Sequence, residues 1–414
     1  AASSLSAVVI PDTVISMGQY AFQSSAYLSS VKIGNGLRSI SKEAFEYCSN
    51  LSEITIPAGI ESIGGAAFKS AGLGKLIFEN NSKLTVISYA AFYGCPLTSV
   101  NFPDSLMNIG DSAFFKCSLS SISFGEGSSL QIIGAEAFRY APLATVAFPA
   151  NIRTIGDYAF ADTAIAGSVT VPASLESLGG GVFGACHALT EIKVESGNKI
   201  YADIDGVVYT KDGKVVIAYP AGNPAENYTV LDGTQKIGVA AFYGSWNLRG
   251  VAVPAGVDEF YEYAFFDCEK VCGYSLPDTL ETVGPYSMAK NYSLSSVSLP
   301  DSVINIGRYA FAYDSSLYTV YISDTSKLAR ISFASFALSG IQTMRIPANV
   351  STVAQYAFEG CKQLTSVTFA AGSKLQSISA YFFLGCDSIQ NITFENGSAL
   401  TSIQAHGLEG ILPR

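Results

Sequence analysis

Charge is scarce in this chain of 414 residues. Asp, Glu, Lys and Arg together make up 14%, against about 25% in an ordinary globular protein. Histidine is scarcer still, with two residues, which leaves little for imidazole-based acid–base chemistry. The 24 basic residues are outnumbered by 34 acidic ones, for a net charge of -10. That balance speaks against a nucleic-acid surface, which needs clustered Lys and Arg. No apolar run approaches the roughly 18 residues of a membrane-spanning helix, because Ser, Thr, Gly or a charge interrupts each one. The opening Ala-Ala-Ser-Ser-Leu-Ser has no basic stretch and no apolar core, so no signal peptide is expected. Disorder is excluded by the 49% of hydrophobic residues.

What the chain has instead is a repeat. Ala-Phe or a close variant recurs, with the second residue at Phe22, Phe45, Phe68, Phe92, Phe114, Phe138, Phe160 and Phe183. It resumes at Phe242, Phe265, Met288, Phe311, Phe336, Phe358, Phe383 and Leu408. Spacings are 22 to 25 residues apart from one gap of 59. A clear copy of the unit runs from Leu294 to Phe311. Val297 and Leu299 alternate with Ser296 and Ser298, which predicts a short strand with one buried face. Pro300 ends that strand and opens a turn. Ile306 and Phe311 return to the core from the far side. Gly follows the Ile slot in nine of sixteen units, which predicts a tight bend or a positive φ there. One unit cannot bury its few apolar side chains alone, so the units must stack.

Leu-x-x-Val-x-Ile-Pro followed by Val-x-x-Ile-Gly-x-x-Ala-Phe-x-x-Cys resembles the BspA-type leucine-rich repeat of bacterial and some protist surface proteins. The likeness covers nearly the whole chain. It implies a repeat solenoid, a leucine-rich-repeat-like right-handed superhelix of short parallel β-strands with turns and short helical or 3-10 corners. It also implies a secreted or surface-anchored protein with an adhesive role, and it carries no catalytic residues. The departures are Met288 and Leu408 in the Phe slot, Phe260-Tyr261 in place of Ile-Gly, and the long gap. The expected organisation is a repeat block over 1–194, a hairpin-containing insert or variant repeat over 195–236, and a second block over 237–414, all in one continuous solenoid. In the insert, Asp205 to Pro220 reads as two apolar strands around Lys211-Asp212-Gly213.

Seven of the eight cysteines share one slot, three residues after the anchor: Cys48, Cys95, Cys117, Cys186, Cys268, Cys361 and Cys386. Ser25, Ala71, Ala141, Thr163, Ser245 and Ser339 hold it elsewhere, so the slot is read as selecting small size. All eight are expected to be buried free thiols. Cys95/Cys117 and Cys361/Cys386 sit in neighbouring units and leave a single stacked disulfide as the alternative. Cys268-x-x-x-Cys272 has no second pair to complete a zinc site.

Other constellations are equally thin. Cys186 and His187 are adjacent and diverge on an extended chain; His406 has no evident partner. Asp203-Ile-Asp205-Gly206 lacks the later oxygens of a calcium loop. No catalytic residue, metal or cofactor is therefore assigned, and an enzyme is not expected. Partner-binding candidates are aromatics and Arg at exposed positions: Tyr318, Tyr321 and Arg345 on the strand face, and Tyr243, Trp246 and Phe266 at the corner, which pack alternatively against the insert. The resulting expectation is a monomeric, non-enzymatic scaffold, extracellular or on the cell surface. Its partners would be an extracellular matrix or cell-surface protein or a glycan, with no nucleic acid. A structural spacer that displays another domain is the alternative. Neither terminus carries a clear polar cap, so a piece of a larger protein is expected.

Overall fold

Period-two alternation builds the first strand of each repeat. In Glu53–Ile56, Ile54 and Ile56 are buried while Glu53 and Thr55 are exposed, and each residue pairs in parallel with Lys75–Phe78 of the next coil. Proline then closes a turn whose third following residue donates back to the Pro carbonyl, as Val303 does to Pro300 at 3.1 Å and Ile60 to Pro57 at 3.1 Å. A second strand of two residues follows, its second residue buried.

The computed structural model describes residues 4–408. The chain divides into two compact units, Ala1–Val208 and Tyr209–Arg414, and each is a parallel β-solenoid. In the first unit the two-residue strands from Ser39–Ile40 to Ser177–Leu178 form one parallel sheet of seven. In the second, the equivalent strands from Lys236–Ile237 to Thr352–Val353 pair in parallel one after another.

The anchors form the core. Phe22, Phe45, Phe68, Phe92 and Phe114 stack with ring centroids 5.1–5.3 Å apart and planes within 11°. The ladder continues through Phe138 and Phe160 to Phe183. In the second unit Phe242 and Phe265 stack at 4.8 Å, and Phe311, Phe336, Phe358 and Phe383 form a further run.

The corners differ from the helical or 3-10 corners expected: no helix of any kind occurs among the described residues, and each corner is a chain of tight turns. At every anchor from Phe22 to Phe383, the residues two before and two after have a positive φ. Glu43 (56°) and Tyr47 (61°) flank Phe45, and Ala66 (53°) and Ser70 (54°) flank Phe68. A left-handed non-glycine residue costs about 1–2 kcal/mol. Hydrogen bonding holds the conformation in place. The amides of Glu43, Phe45 and Tyr47 donate to Gly65, Ala67 and Lys69 of the next coil at 2.7–3.0 Å. Those of Ala44, Glu46 and Cys48 turn inward to carbonyls of their own coil. Alternate amides thus point along and around the solenoid, so a buried corner leaves no orphan donor.

The glycine after the Ile slot has a different cause from a positive φ. Eight of the nine sit where a Cβ would fall 2.2–2.7 Å from atoms of the preceding coil, mostly its backbone. Glycine is there because neighbouring coils touch, which a side chain would prevent.

The gap of 59, expected to hold an insert or variant repeat, contains a further coil. Tyr219 lies 23 residues before Phe242 and stacks on it at 5.0 Å, and its amide donates to Ala241 at 2.7 Å. It occupies the anchor position. The turn at Lys211-Asp212-Gly213 forms as expected: Gly213 donates to the Thr210 carbonyl at 2.8 Å, and Asp212 accepts from the Thr210 hydroxyl and the Lys214 amide.

Candidate functional site: the strand face and the corner face

The strand face presents the middle residue of each first strand. Tyr321 projects from Thr319–Ile322 and is 59% exposed, with Tyr318 just before that strand also exposed. Arg345, from Thr343–Ile346, is less available. Its guanidinium donates to both oxygens of Asp324 (2.7 and 2.9 Å) and both of Glu395 (2.8 and 3.1 Å). Two carboxylates hold its proton more firmly than usual, and its charge is neutralised before any partner arrives.

At the corner, the three candidates separate. Tyr243 is buried, contrary to its selection as a surface residue, because its ring turns in beside Phe266 at 5.6 Å. Phe266 is half-buried under Lys290 Nζ, 5.1 Å from its ring centre. Trp246 is 41% exposed, with Lys270 Nζ 4.5 Å above the indole. Its backbone is tied to the insert: the Trp246 amide donates to Ala221 and the Asn247 side chain to Asn223.

A more extended feature escaped the sequence reading. The left-handed position two before the anchor carries Tyr263, Tyr286, Tyr309, Tyr356, Tyr381 and His406 in the second unit, with Phe333 one residue earlier in the coil between Tyr309 and Tyr356. The rings form a surface ribbon. Tyr263, Tyr286 and Tyr309 stack at 4.9 and 4.7 Å, and Tyr356, Tyr381 and His406 at 5.2 and 5.1 Å, while Phe333 stands at an angle between the two runs. Tyr286, Tyr309 and Tyr356 pack, with Phe266, on a buried floor of Ala289, Ala312, Ala334 and Ala337. The signal was in the sequence as a size exchange between this position and the one after the anchor. Tyr286 goes with Ala289 and Tyr309 with Ala312, whereas Ala66 goes with Lys69, Ala90 with Tyr93 and Ser112 with Phe115.

In the first unit the coils of Phe68, Phe92 and Phe114 use the second combination, Tyr158 with Ala161 uses the first, and cations interleave with the rings. Lys69 lies 5.9 and 6.0 Å from Tyr47 and Tyr93, Lys116 lies 5.4 and 5.5 Å from Phe115 and Tyr140, and Arg139 spans Tyr140 and Tyr158. Lys69 also pairs with Glu46, and Arg139 with Glu136 and Asp162.

The constellations considered for chemistry do not assemble. Cys186 is buried, donates to the Phe160 carbonyl at 3.2 Å and has its thiol pushed up to about 11 by burial, while His187 is exposed. Asp203 accepts from the Val194 amide at 2.7 Å, and Asp205-Gly206 is a left-handed turn. No group of three or more metal-ligating side chains occurs among the described residues. A groove of about 530 Å³ in the first unit is lined by Asn151, Arg153, Glu176 and Lys199 among others, and Arg153 is ion-paired with Glu176.

The cysteine slot proves to be a donor position as well as a small one. All seven thiols donate to the carbonyl of the preceding anchor, from 2.9 Å (Cys386 to Phe358) to 3.2 Å (Cys186 to Phe160). Every cysteine is a free thiol, but Cys272, outside the slot, is exposed, contrary to the expectation that all eight are buried. The slot also holds Asn291 and Asp314, which small size does not explain. Asp314 is fully buried; its Oδ1 accepts from the Asn291 amide at 2.8 Å and its Oδ2 has no partner. Asn291 in turn contacts Tyr274 and Cys268. Burial raises the Asp314 carboxyl well above the usual carboxylate range.

Comparison with known proteins agrees with this geometry. The family model of the BspA type leucine rich repeat region matches in six copies over residues 1–88, 85–204, 221–339 and 329–409. No curated protein sequence matches. Among solved structures, the chain is similar to the pneumococcal vaccine antigen PcpA, with 23% identity, 90% of this chain and 74% of that chain covered, and a TM-score of 0.52. It is similar to a leucine rich cell surface protein of Faecalibacterium prausnitzii, with 22% identity, 94% and 87% covered, and a TM-score of 0.53. A leucine-rich repeat protein of Eubacterium ventriosum matches with 18% identity, 98% and 90% covered, and a TM-score of 0.54. At these identities the likeness concerns the fold.

Proposed function

Because the chain belongs to the BspA-type leucine-rich repeat family, we propose that it is a non-enzymatic scaffold, secreted or held at the cell surface, that binds a protein or glycan through its solenoid surface. The observation that carries the reading is the placement of half-buried surface aromatic side chains in continuous rows along regularly spaced coils. Such rows offer large contact area whose rotamers are already fixed by their neighbours, so little side-chain entropy is lost on binding. Two structural neighbours described as a vaccine antigen and a cell surface protein support an exposed location. No helix among the described residues is long and apolar enough to cross a membrane. Tyr318, Tyr321 and Trp246 are the proposed contact residues outside the aromatic rows, with Phe266 at the corner. Arg345 contributes by holding Asp324 and Glu395 in place. The test is a binding screen of the immobilised chain against matrix proteins and glycans, followed by Tyr321→Ala and Trp246→Ala. A contact that is a hot spot should weaken binding by about 2 kcal/mol or more on truncation. The spacer reading is favoured by the many Ser and Thr on the strand face, such as Ser123, Ser298 and Thr368, and it gains if no partner binds anywhere in the screen.

A further inference from the structure

Two carboxyl side chains are buried among the described residues, Glu46 and Asp314. Glu46 pairs with Lys69 at 3.3 Å, whereas no described cation pairs with Asp314. The titratable groups that face Asp314 are themselves acids. Tyr274 and Tyr292 approach from earlier coils, with Cys268 beside Tyr274 and with Asp267 and Glu269 beyond Tyr292. On the following coil the equivalent residue is Ser339, whose hydroxyl meets the Cys361 thiol at 3.4 Å. Lys290, next to Asn291, lies over the Phe266 ring instead. Asn291 occupies the same slot one coil before Asp314, and the two side chains make the same first bond. Asn291 Oδ1 accepts from the Cys268 amide at 3.0 Å, and Asp314 Oδ1 accepts from the Asn291 amide at 2.8 Å. The other terminal atom of Asn291, its Nδ2, donates to the carbonyl of its own anchor, Met288, at 2.8 Å. Ser245 does the same to Phe242 at 2.7 Å. In Asp314 the corresponding atom is Oδ2, which has no donor to accept from, and the corresponding carbonyl is that of Phe311.

From this equivalence we infer that Asp314 carries a proton on Oδ2 and donates it to the Phe311 carbonyl, and that this proton is a latch holding the coils of Asn291 and Asp314 closed. An ionised Oδ2 in that place would set one acceptor against another, buried away from solvent. Losing the proton replaces a hydrogen bond by a repulsion, and opening the coils relieves it by solvating the carboxylate. The sign follows from the two states. Closed coils hold the acid neutral, and opened coils ionise it above about 3.9, the value of a solvated Asp. Opening therefore releases one proton. The opening constant rises about tenfold per pH unit until the folded carboxyl itself titrates, and then levels off. The surface that loosens is set by position. Asn291 and Asp314 lie two residues beyond Ala289 and Ala312, the floor under Tyr286 and Tyr309. The latch thus gives the first run of the tyrosine ribbon a pH-dependent foundation, while the first unit has no equivalent.

Amide hydrogen exchange of the full chain, read residue by residue, tests this. From about pH 5 upward, the protection factor of the Asn291 amide should fall about tenfold per pH unit in the wild type. In Asp314→Asn, whose amide reproduces the Asn291 pattern without a titrating proton, it should stay level. The Phe138 amide of the first unit should show no such slope in either chain. Infrared spectra of the wild type give a second reading that does not depend on the variant folding. One protonated carboxyl band should persist at neutral pH, where the exposed carboxylates and the ion-paired Glu46 are ionised. Level protection in the wild type, a slope retained in Asp314→Asn, a fall shared by Phe138, or a neutral-pH spectrum without a protonated carboxyl would each overturn the proposal.

Discussion

Phe138 is enclosed by stacked rings on both sides, Phe114 at 5.3 Å and Phe160 at 5.2 Å, and is fully buried. Phe138→Ala should lower the unfolding free energy by about 3–5 kcal/mol, since the ladder cannot collapse to fill the gap; urea unfolding measures it. Thiol reactivity should follow burial equally closely. Burial pushes Cys117 and Cys268 up to about 12, and a thiolate is needed for attack. A thiol reagent should therefore count one fast cysteine, Cys272, in the native chain and eight after denaturation. Asp314 gives a pH prediction with a defined sign. Its folded carboxyl titrates above its unfolded value, so its contribution is fully present below the unfolded range and is lost as pH rises through the folded one. Tyr274 and Cys268, which share its pocket, are also raised by burial and act in the same direction at higher pH. Asp314→Asn should become progressively more stable than wild type as pH increases, and equal pH profiles would mean that the carboxyl is solvated.

At the scale of the element, the coil is held by contacts that only its neighbour supplies. Gly156→Ala should be destabilising by about 1–3 kcal/mol, because its Cβ would lie 2.4 Å from the Ala135 amide nitrogen. Gly74→Ala, with its nearest atom at 3.8 Å, should be close to neutral, and comparing their unfolding midpoints separates close approach from loss of glycine itself. The left-handed corner residues make the same point. Nothing in Glu43 or Tyr286 favours a positive φ; the amide ladder to the next coil imposes it.

For the molecule as a whole, the net charge of -10 and the pairing of many basic side chains with carboxylates leave little affinity for polyanions. The chain should pass unretained through a heparin column at physiological ionic strength, and retention that falls with added salt would contradict this. Binding should depend on aromatic rows, with single truncations in the row mattering more than any one surface charge.

The sequence by itself determined the solenoid, its strands, its Pro turns and its Phe core, because each follows from a period that one coil repeats: apolar residues at fixed offsets have one way to be buried together. It could not reveal what arises between coils. Glycine after the Ile slot looks like a bend until the preceding backbone is seen against it. The Cys slot looks like a matter of size until its thiols are seen donating to the previous anchor's carbonyl, and the same blindness hid Asn291 and Asp314. Tyr219 carried the right spacing but the wrong neighbours in sequence, and only its stacking on Phe242 identifies it as an anchor. The candidate site divides the same way. Tyr318, Tyr321 and Trp246 are exposed as their slots suggest, whereas Tyr243 turns inward, Arg345 is claimed by two carboxylates from other coils, and the tyrosine ribbon exists only where stacked coils bring residues some 23 positions apart to within about 5 Å.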